Sequence, residues 1–121
     1  MTVAEAIGRV NVIRPNQYTT DQMREWLSEL DAKAFNEIIK THDGEAPEEF
    51  VPYTAVSDEL LIPFPYAGDV YTFWLISQID LFNAETARYN QSITLFNNAY
   101  TTYQNWYNRE NIPKSMGRIR F

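Results

Sequence analysis

The sequence predicts a mainly α-helical fold: a small helical bundle with a long central aromatic helix, an acidic proline-rich loop and an extended C-terminal tail. Apolar side chains recur at helical spacing in three long stretches. Four of the six prolines fall within residues 41–65, where they interrupt that spacing. The chain has 121 residues, of which 45% are hydrophobic and 21% charged, and these values fit one globular domain.

The first predicted helix covers residues 3–10. Thr2 and Glu5 form a T-x-x-E capping box, in which each side chain satisfies a backbone N–H at the helix start. The run Arg14–Gln17, which contains a proline, then predicts a turn.

The second predicted helix runs from Asp21 to Lys40 and begins at a cap on Thr19 or Thr20. Its apolar residues step by three or four positions along one face, as in an amphipathic helix packed on a core. We expect the acidic residues of this helix and Lys33 on the opposite, solvated face. The apolar face consists of Met23, Leu27, Leu30, Ala34 and Ile38, widened by Trp26, Phe35 and Ile39.

Residues 41–65 form the predicted acidic loop, which has six acidic side chains and no lysine or arginine. Connections of this length are commonly functional. Within it, Glu49–Tyr53 and Asp58–Ile62 are candidates for short extended segments that pair as a hairpin. The acidic residues lack the spacing of a calcium-binding loop, which favours a solvated loop without a metal ion.

The third predicted helix, Tyr66–Phe82, is apolar on every side, which places it at the centre of the fold. The fourth, about Ala84–Asn108, carries an aromatic stripe. Pro113 ends this part of the chain, so we expect a helical domain over residues 1–113 and an extended tail over residues 114–121. The stripe consists of Tyr89, Ile93, Phe96, Tyr100, Tyr103 and Tyr107.

The stretch 89–108 contains no charged side chain, although a solvated helix face normally carries lysine and glutamate. Charge depletion together with enrichment in Tyr and Trp is typical of the buried centre of a protein interface. The sequence therefore predicts a subunit interface on the fourth helix. The alternative is an ordinary core helix with a polar exterior. The predicted interface residues are Tyr89, Asn97, Tyr100, Tyr103, Trp106 and Tyr107.

The sequence offers little for catalysis, and we expect no enzyme activity, catalytic residue, cofactor or metal site. The single histidine, His42, has no candidate nucleophile beside it, and the chain has no cysteine. Asp80 lies within the apolar third helix. A buried carboxylate there would need a cationic partner, and we expect Arg88 to supply it as a structural ion pair. The richest apolar stretch, Val70–Phe82, is too short to cross a membrane.

The formal net charge of −6 is unevenly distributed. Residues 1–108 hold 6 basic and 15 acidic side chains, whereas residues 109–121 hold four basic side chains and one acidic. An acidic body opposes the wrapping of nucleic acid, because phosphate binding needs clustered Lys and Arg. The end of the chain alternates basic and apolar residues, which predicts a strand added to the edge of a partner; the alternative is a frayed terminus. The predicted partner-binding residues are Gly117, Arg118, Ile119, Arg120 and Phe121.

Four strings stand out beside this basic aromatic terminus: RPNQYT (Arg14–Thr19), DELLIPFPY (Asp58–Tyr66), NAETARYN (Asn83–Asn90) and FNNAYTTYQNWYNRENIP (Phe96–Pro113). With the second helix, they resemble small proteins encoded by tailed phages (siphophages) and prophages of Gram-positive bacteria, namely the head–tail connector, or adaptor, proteins. The resemblance covers most of the chain. Its motifs are distinctive as strings and carry no known chemistry.

The resemblance implies a mainly helical virion protein that forms a homo-oligomeric ring of about twelve copies beneath the portal protein. The ring would extend the DNA channel, let DNA pass without specific binding, and dock a downstream neck or tail completion protein. The tail residues would bind the portal. The implied location is the virion neck, after synthesis in the bacterial host cytoplasm, with no membrane partner. The alternative is another phage-encoded helical assembly protein or a DNA-packaging accessory protein, such as a small-terminase-like DNA-binding subunit.

Overall fold

The computed structural model describes residues 1–39 and 49–110. Within these ranges the chain folds as a small bundle of α-helices, and no β-strand is present. The predicted mainly helical fold is therefore confirmed. None of the helices in the two ranges is long and apolar enough to cross a membrane. The helices are α1 (Val3–Ile13), α2 (Thr20–Ala34), which continues through a π-helical segment at Phe35–Ile39, α3 (Ala67–Phe82) and α4 (Thr86–Glu110).

The first two helices begin where their capping residues predict. In α1, the Thr2 hydroxyl accepts a hydrogen bond from the Glu5 N–H at 3.2 Å, and the Glu5 carboxylate accepts one from the Thr2 N–H at 3.0 Å. In α2, the Thr19 hydroxyl accepts one from the Gln22 N–H at 3.1 Å. Each bond satisfies a backbone donor that has no partner within the helix. The capping box and the cap at Thr19 are thus confirmed.

Residues 49–66 form an irregular segment, here called the strap, which crosses the N-terminal end of α1. The Val3 N–H donates to the Asp58 carbonyl at 3.0 Å, which satisfies one of the donors that a helix start leaves unpaired. The expected hairpin between Glu49–Tyr53 and Asp58–Ile62 is wrong. The strap uses its backbone groups to cap α1 and to reach the helices, and the two segments do not pair as strands.

Helix α3 lies at the centre of the bundle and packs most extensively against α4. Ten of its sixteen residues are buried, and they lie on all sides of the helix axis, which confirms the predicted central position. The helix is exposed at Asp69 in its first turn and at Leu81 and Phe82 near its end. There the Phe82 ring stacks on Trp26 of α2 with a centroid distance of 5.5 Å.

A reversal of three residues, Asn83–Glu85, joins α3 to α4. Ala84 adopts a left-handed backbone conformation with a φ of 57°. This conformation costs a residue with a Cβ about 1 kcal/mol or more. The Glu85 N–H donates to the Asp80 carbonyl at 3.0 Å, so backbone hydrogen bonds close the end of α3 and hold the reversal tight.

Asp80 is fully buried near the end of α3, and its partner corrects the sequence prediction. The carboxylate forms an ion pair with Arg14, which follows α1, and accepts a hydrogen bond from the Ser92 hydroxyl of α4 at 3.0 Å. Arg88, the expected partner, pairs instead with Glu85 at 3.1 Å. The side chain of Arg88 is 60% exposed, so it lies on the solvent side of α4 and does not enter the core. Asp80 therefore links α1, α3 and α4.

We expect Arg14→Ala to lower the free energy of unfolding by about 3 kcal/mol, because it leaves the buried Asp80 carboxylate without its cation. The matched control is Arg88→Ala, which removes an exposed ion pair of the kind that contributes roughly 0–1 kcal/mol. Urea unfolding of both variants measures the difference. Equal losses in the two variants would contradict the structural role of the Arg14–Asp80 pair.

Candidate functional site

The aromatic stripe of α4 faces the core of its own chain. Phe96 and Tyr103 are buried, with 6% and 1% of their surfaces exposed. Two rings of α4 contact the ring of Tyr66, the residue just before α3. The Tyr103 ring lies 5.9 Å from the Tyr66 ring and the Trp106 ring lies 5.2 Å from it, measured between centroids. The stripe is therefore the surface that holds α4 against α3.

The opposite side of α4, here called the outer face, is exposed to solvent and carries no charge between residues 89 and 108. Leu95 on this face is 47% exposed. The Thr94 and Thr102 hydroxyls donate to carbonyls of the preceding helical turn, at 2.7 and 2.9 Å, so they are satisfied within the helix. The exposed residues of the outer face are Asn90, Gln91, Thr94, Leu95, Asn97, Asn98, Thr101, Thr102, Asn105 and Asn108.

The six predicted interface residues divide between these two sides. Asn97 is exposed at the edge of the outer face, where it lines a pocket between α4 and α2. Tyr103 is covered by its own chain, so a partner subunit cannot reach it without opening the core. The prediction that Tyr103 belongs to the interface is therefore wrong, and this residue is part of the core. The remaining four, Tyr89, Tyr100, Trp106 and Tyr107, are partly buried along the edges of the stripe. The predicted contact with another subunit stays a prediction for Asn97 and for these four residues.

A pocket of about 280 Å³ lies between α2, α3 and α4. Its aromatic wall is continuous, because the Trp74 and Phe96 rings lie 5.1 Å apart and the Phe96 and Tyr100 rings stack at 5.5 Å. Burial raises the pKa of Tyr100 to about 12, so its hydroxyl stays protonated at neutral pH. The residues that line this α2–α4 pocket are Glu29, Leu30, Lys33, Trp74, Phe96, Asn97 and Tyr100.

The most unusual polar group in the core is Asp31 of α2, which the sequence places wrongly on the solvated face of its helix. Its side chain is fully buried. The carboxylate accepts hydrogen bonds from the Tyr53 hydroxyl, from the Tyr71 hydroxyl at 2.7 Å and from the Leu61 N–H at 3.1 Å. The Tyr71 hydroxyl in turn accepts from the Ile62 N–H at 2.7 Å. Asp31 therefore joins α2, the strap and α3.

Burial has a clear electrostatic effect on this cluster. It raises the pKa of Asp31 to about 6, although the hydrogen bonds from Tyr53, Tyr71 and Leu61 act in the opposite direction. Burial and the nearby carboxylate also raise the pKa of each tyrosine, so both hydroxyls remain donors. No cation pairs with Asp31 among the residues that the structure describes. The arrangement anchors the strap to the helices.

A signal for Asp31 was present in the sequence. The residue lies four positions after Leu27 and four before Phe35, and both of these are apolar-face residues. A carboxylate at that register must lie on the buried face or break the helix. Its tyrosine partners lie 22 and 40 residues away along the chain, and helical spacing alone does not identify them.

Only some of the remaining residues considered in the sequence lie within the described ranges. His42 and the tail residues Gly117–Phe121 lie outside the described ranges. Glu49, at the start of the strap, is exposed. Across residues 1–39 and 49–110, no three His, Asp or Glu side chains lie close enough together to hold a metal ion.

The raised pKa of Asp31 gives the stability of the fold a specific pH dependence. Its unfolded-state value is near 3.8, so the folded protein binds a proton more readily between pH 4 and 6. The stabilisation that the protonated Asp31 gives to the folded state is complete below pH 4 and is lost as the pH rises through about 6. We therefore expect the free energy of unfolding of Asp31→Asn, which has no such proton to lose, to rise by roughly 3 kcal/mol relative to wild type between about pH 3 and 8.

Urea unfolding of both proteins at each pH measures this difference. The lowered pKa values of Glu5 and Asp58, which give the opposite pH dependence, are present in both proteins and cancel. A difference that stays constant across the pH range would contradict the raised pKa of Asp31.

Comparisons of the chain with protein-family models, with curated proteins and with solved structures find no match. The resemblance to head–tail connector proteins therefore stays a prediction from the sequence strings. The features that bear on function are the uncharged outer face of α4, the aromatic pocket beside it and the acidic charge of the body.

Proposed function

We propose that this protein is a structural subunit of a phage virion, a head–tail connector that assembles as a ring under the portal protein. The observation that carries the proposal is the outer face of α4. This helix has 25 residues, and its exposed side is uncharged over most of its length. The face is available to a partner because a separate set of residues, the aromatic stripe, already holds α4 to the core.

An uncharged exposed face is unusual for a helix whose outer side meets only solvent. Asn, Gln, Thr and Ser are middling or poor helix formers, and charged residues would serve better on a surface that only meets water. Their absence matches the composition of interface centres, where charged residues are depleted. In a ring, every subunit needs such a surface on each side, because the contacts are head-to-tail.

The charge of the protein supports a conduit for DNA better than a DNA-binding role. The net charge of −6 repeats in every copy, so about twelve copies would surround the channel with strongly negative potential. With the acidic residues facing the channel, such a lining would repel phosphates and let DNA pass. The DNA-packaging alternative needs a basic surface to bind the backbone, and residues 1–108 have more than twice as many acidic as basic side chains.

An enzymatic role has less support, because the two buried carboxylates already have structural roles. Asp80 is paired with Arg14 and holds three helices together. Asp31 is saturated by hydrogen bonds from the strap and from Tyr71. Neither arrangement presents a nucleophile with an adjacent base.

The ring proposal is tested on portal-bearing phage heads that lack this protein. Wild-type protein should bind at the portal vertex and permit tail attachment. We expect Asn98→Glu to reduce ring occupancy on the heads by about tenfold, because the variant places a charge on the outer face in an interface centre. Asn36→Glu, which adds the same charge at an exposed site on the π-helical segment that continues α2, is the control. Equal occupancy of both variants, with equal helical content by circular dichroism, would count against the outer face.

The portal contact of the tail is tested by deletion of residues 117–121. None of the described core residues is removed, so we expect an unchanged Tm. Attachment to portal-bearing heads should nevertheless be lost, since a strand addition combines main-chain hydrogen bonds with side-chain anchors and the loss repeats around the ring. Normal attachment of the truncated protein would show that the portal is bound elsewhere.

A further inference from the structure

Phe64 is the most exposed large apolar side chain in the described chain, with 92% of its surface accessible. It lies in the strap just before α3, between Pro63 and Pro65. Two prolines fix the φ angles on either side of this residue, so the aromatic ring is presented by a stiff stretch of backbone. Exposed aromatic side chains on rigid backbone are typical anchors of protein interfaces.

Charged side chains of both signs lie beside Phe64. Glu5 and Arg9 of α1 and Asp69 of α3 line the same shallow depression, and the Glu5 carboxylate already accepts the Thr2 N–H in the cap of α1. The Arg9 guanidinium lies over Gly68, where a Cβ would come within 2.9 Å of its Nη1 atom. The Phe64 knob is thus an exposed apolar ring with the Arg9 cation and the Asp69 anion beside it.

The α2–α4 pocket has the complementary pattern. Its walls are aromatic and aliphatic, and its rim carries the exposed Glu29 and Lys33, one helical turn apart on α2. None of the four charged residues, at the knob or at the pocket, forms an ion pair with another part of the described chain. Pockets for drug-sized ligands measure ~300–1,000 Å³, so a volume of about 280 Å³ suits a single aromatic side chain.

The knob and the pocket cannot meet within one chain. Phe64 is held before the first residue of α3, whereas Trp74 in the pocket wall lies seven residues into that rigid helix, about 10 Å along its axis. Two different surfaces that complement each other on one molecule create a head-to-tail contact between copies. Such contacts repeat until they close into a ring or extend as a filament.

We propose that Phe64 of one copy inserts into the α2–α4 pocket of a second copy, with Arg9 meeting Glu29 and Asp69 meeting Lys33. The inserted ring would pack against Trp74, Phe96 and Tyr100. This inference adds a specific contact to the proposed function. It rests on the proposed function only for the assignment of that contact to a ring. The contact itself needs no component other than this protein.

The test uses two purified variants that each lack one half of the contact. Phe64→Ala removes the knob and keeps the pocket, while Asn97→Trp fills the pocket and keeps the knob. Neither residue is part of the buried core, so both variants should retain the wild-type circular dichroism spectrum. At millimolar concentration we expect wild type to self-associate in sedimentation equilibrium and each variant to stay monomeric. An equimolar mixture of the two should form a dimer and nothing larger, since only one knob and one pocket remain.

The matched control for the blocked pocket is Asn90→Trp, which adds the same side chain on the outer face two turns away and should associate like wild type. A charge exchange tests the orientation: Arg9→Glu should weaken self-association about tenfold, and adding Glu29→Arg should restore it. A monomeric wild type, unchanged association of Phe64→Ala, or a mixture that stays monomeric would overturn the inference.

The outcome is separable from that of the proposed function. Association of the purified protein through Phe64 with no binding to portal-bearing heads would refute the connector role and leave this contact standing. Binding to heads with Phe64→Ala as effective as wild type would refute the contact and leave the connector role standing.

Discussion

The fold depends on how the buried carboxylate of Asp31 is accommodated by hydrogen-bond donors, since no cation of the described residues pairs with it. The charge can remain in the core only because three donors reach it from the strap and from α3. Those donors fix the path of the strap, and the strap in turn supplies the carbonyls of Val56 and Asp58 to the unpaired N–H groups at the start of α1. A single polar group therefore organises a segment that has no secondary structure of its own. Replacing one donor would leave the others to satisfy a desolvated charge.

The second buried acid has the corresponding role at the other end of α3. Asp80 joins the exit of α1 to α3 and α4, while Asp31 joins α2 to the strap and to the first turns of α3. Between these two polar clusters, α3 packs mainly through apolar contacts, with one further hydrogen bond from the Trp74 indole N–H to the Trp26 carbonyl of α2 at 2.8 Å. Apolar contacts are tolerant of sliding, whereas hydrogen-bonded charges are not, so the two acids set the register of the helices around the central one. This division explains why a helix with such a uniform apolar surface has a unique place in the bundle.

Much of the fold was predictable from sequence, because helices are local. The capping box at Thr2 and Glu5, the cap at Thr19 and the central position of α3 follow from short-range patterns, and the structure confirms them. The failures involve long-range partners. The hairpin was wrong because the strap bonds to helices distant in sequence. The predicted ion pair between Asp80 and Arg88 was wrong because Arg88 is close to Asp80 in the sequence, whereas the actual partner, Arg14, lies 66 residues away.

The candidate site was predictable in part for the same reason. Spacing identified the aromatic stripe of α4 and the missing charges, but spacing cannot say which neighbour a face meets. The stripe faces α3, so Tyr103 moved from the predicted interface to the core. The α2–α4 pocket was not foreseen, since its walls come from three helices. Phe64 was visible in the sequence only as one residue of a string, and its exposure depends on the path of the strap.

The reversal at Ala84 has a consequence for how α4 is oriented. Each residue of an α-helix turns the chain by about 100° about the axis, so the length of a connection sets the rotational phase of the helix that follows. One residue inserted between α3 and α4 would turn the aromatic stripe away from α3 and bring part of the outer face inward. The left-handed backbone of Ala84 lets a connection of only three residues reverse the chain. The phase of α4, and hence the side that it offers to another molecule, is thus set by a short reversal that need not touch that molecule.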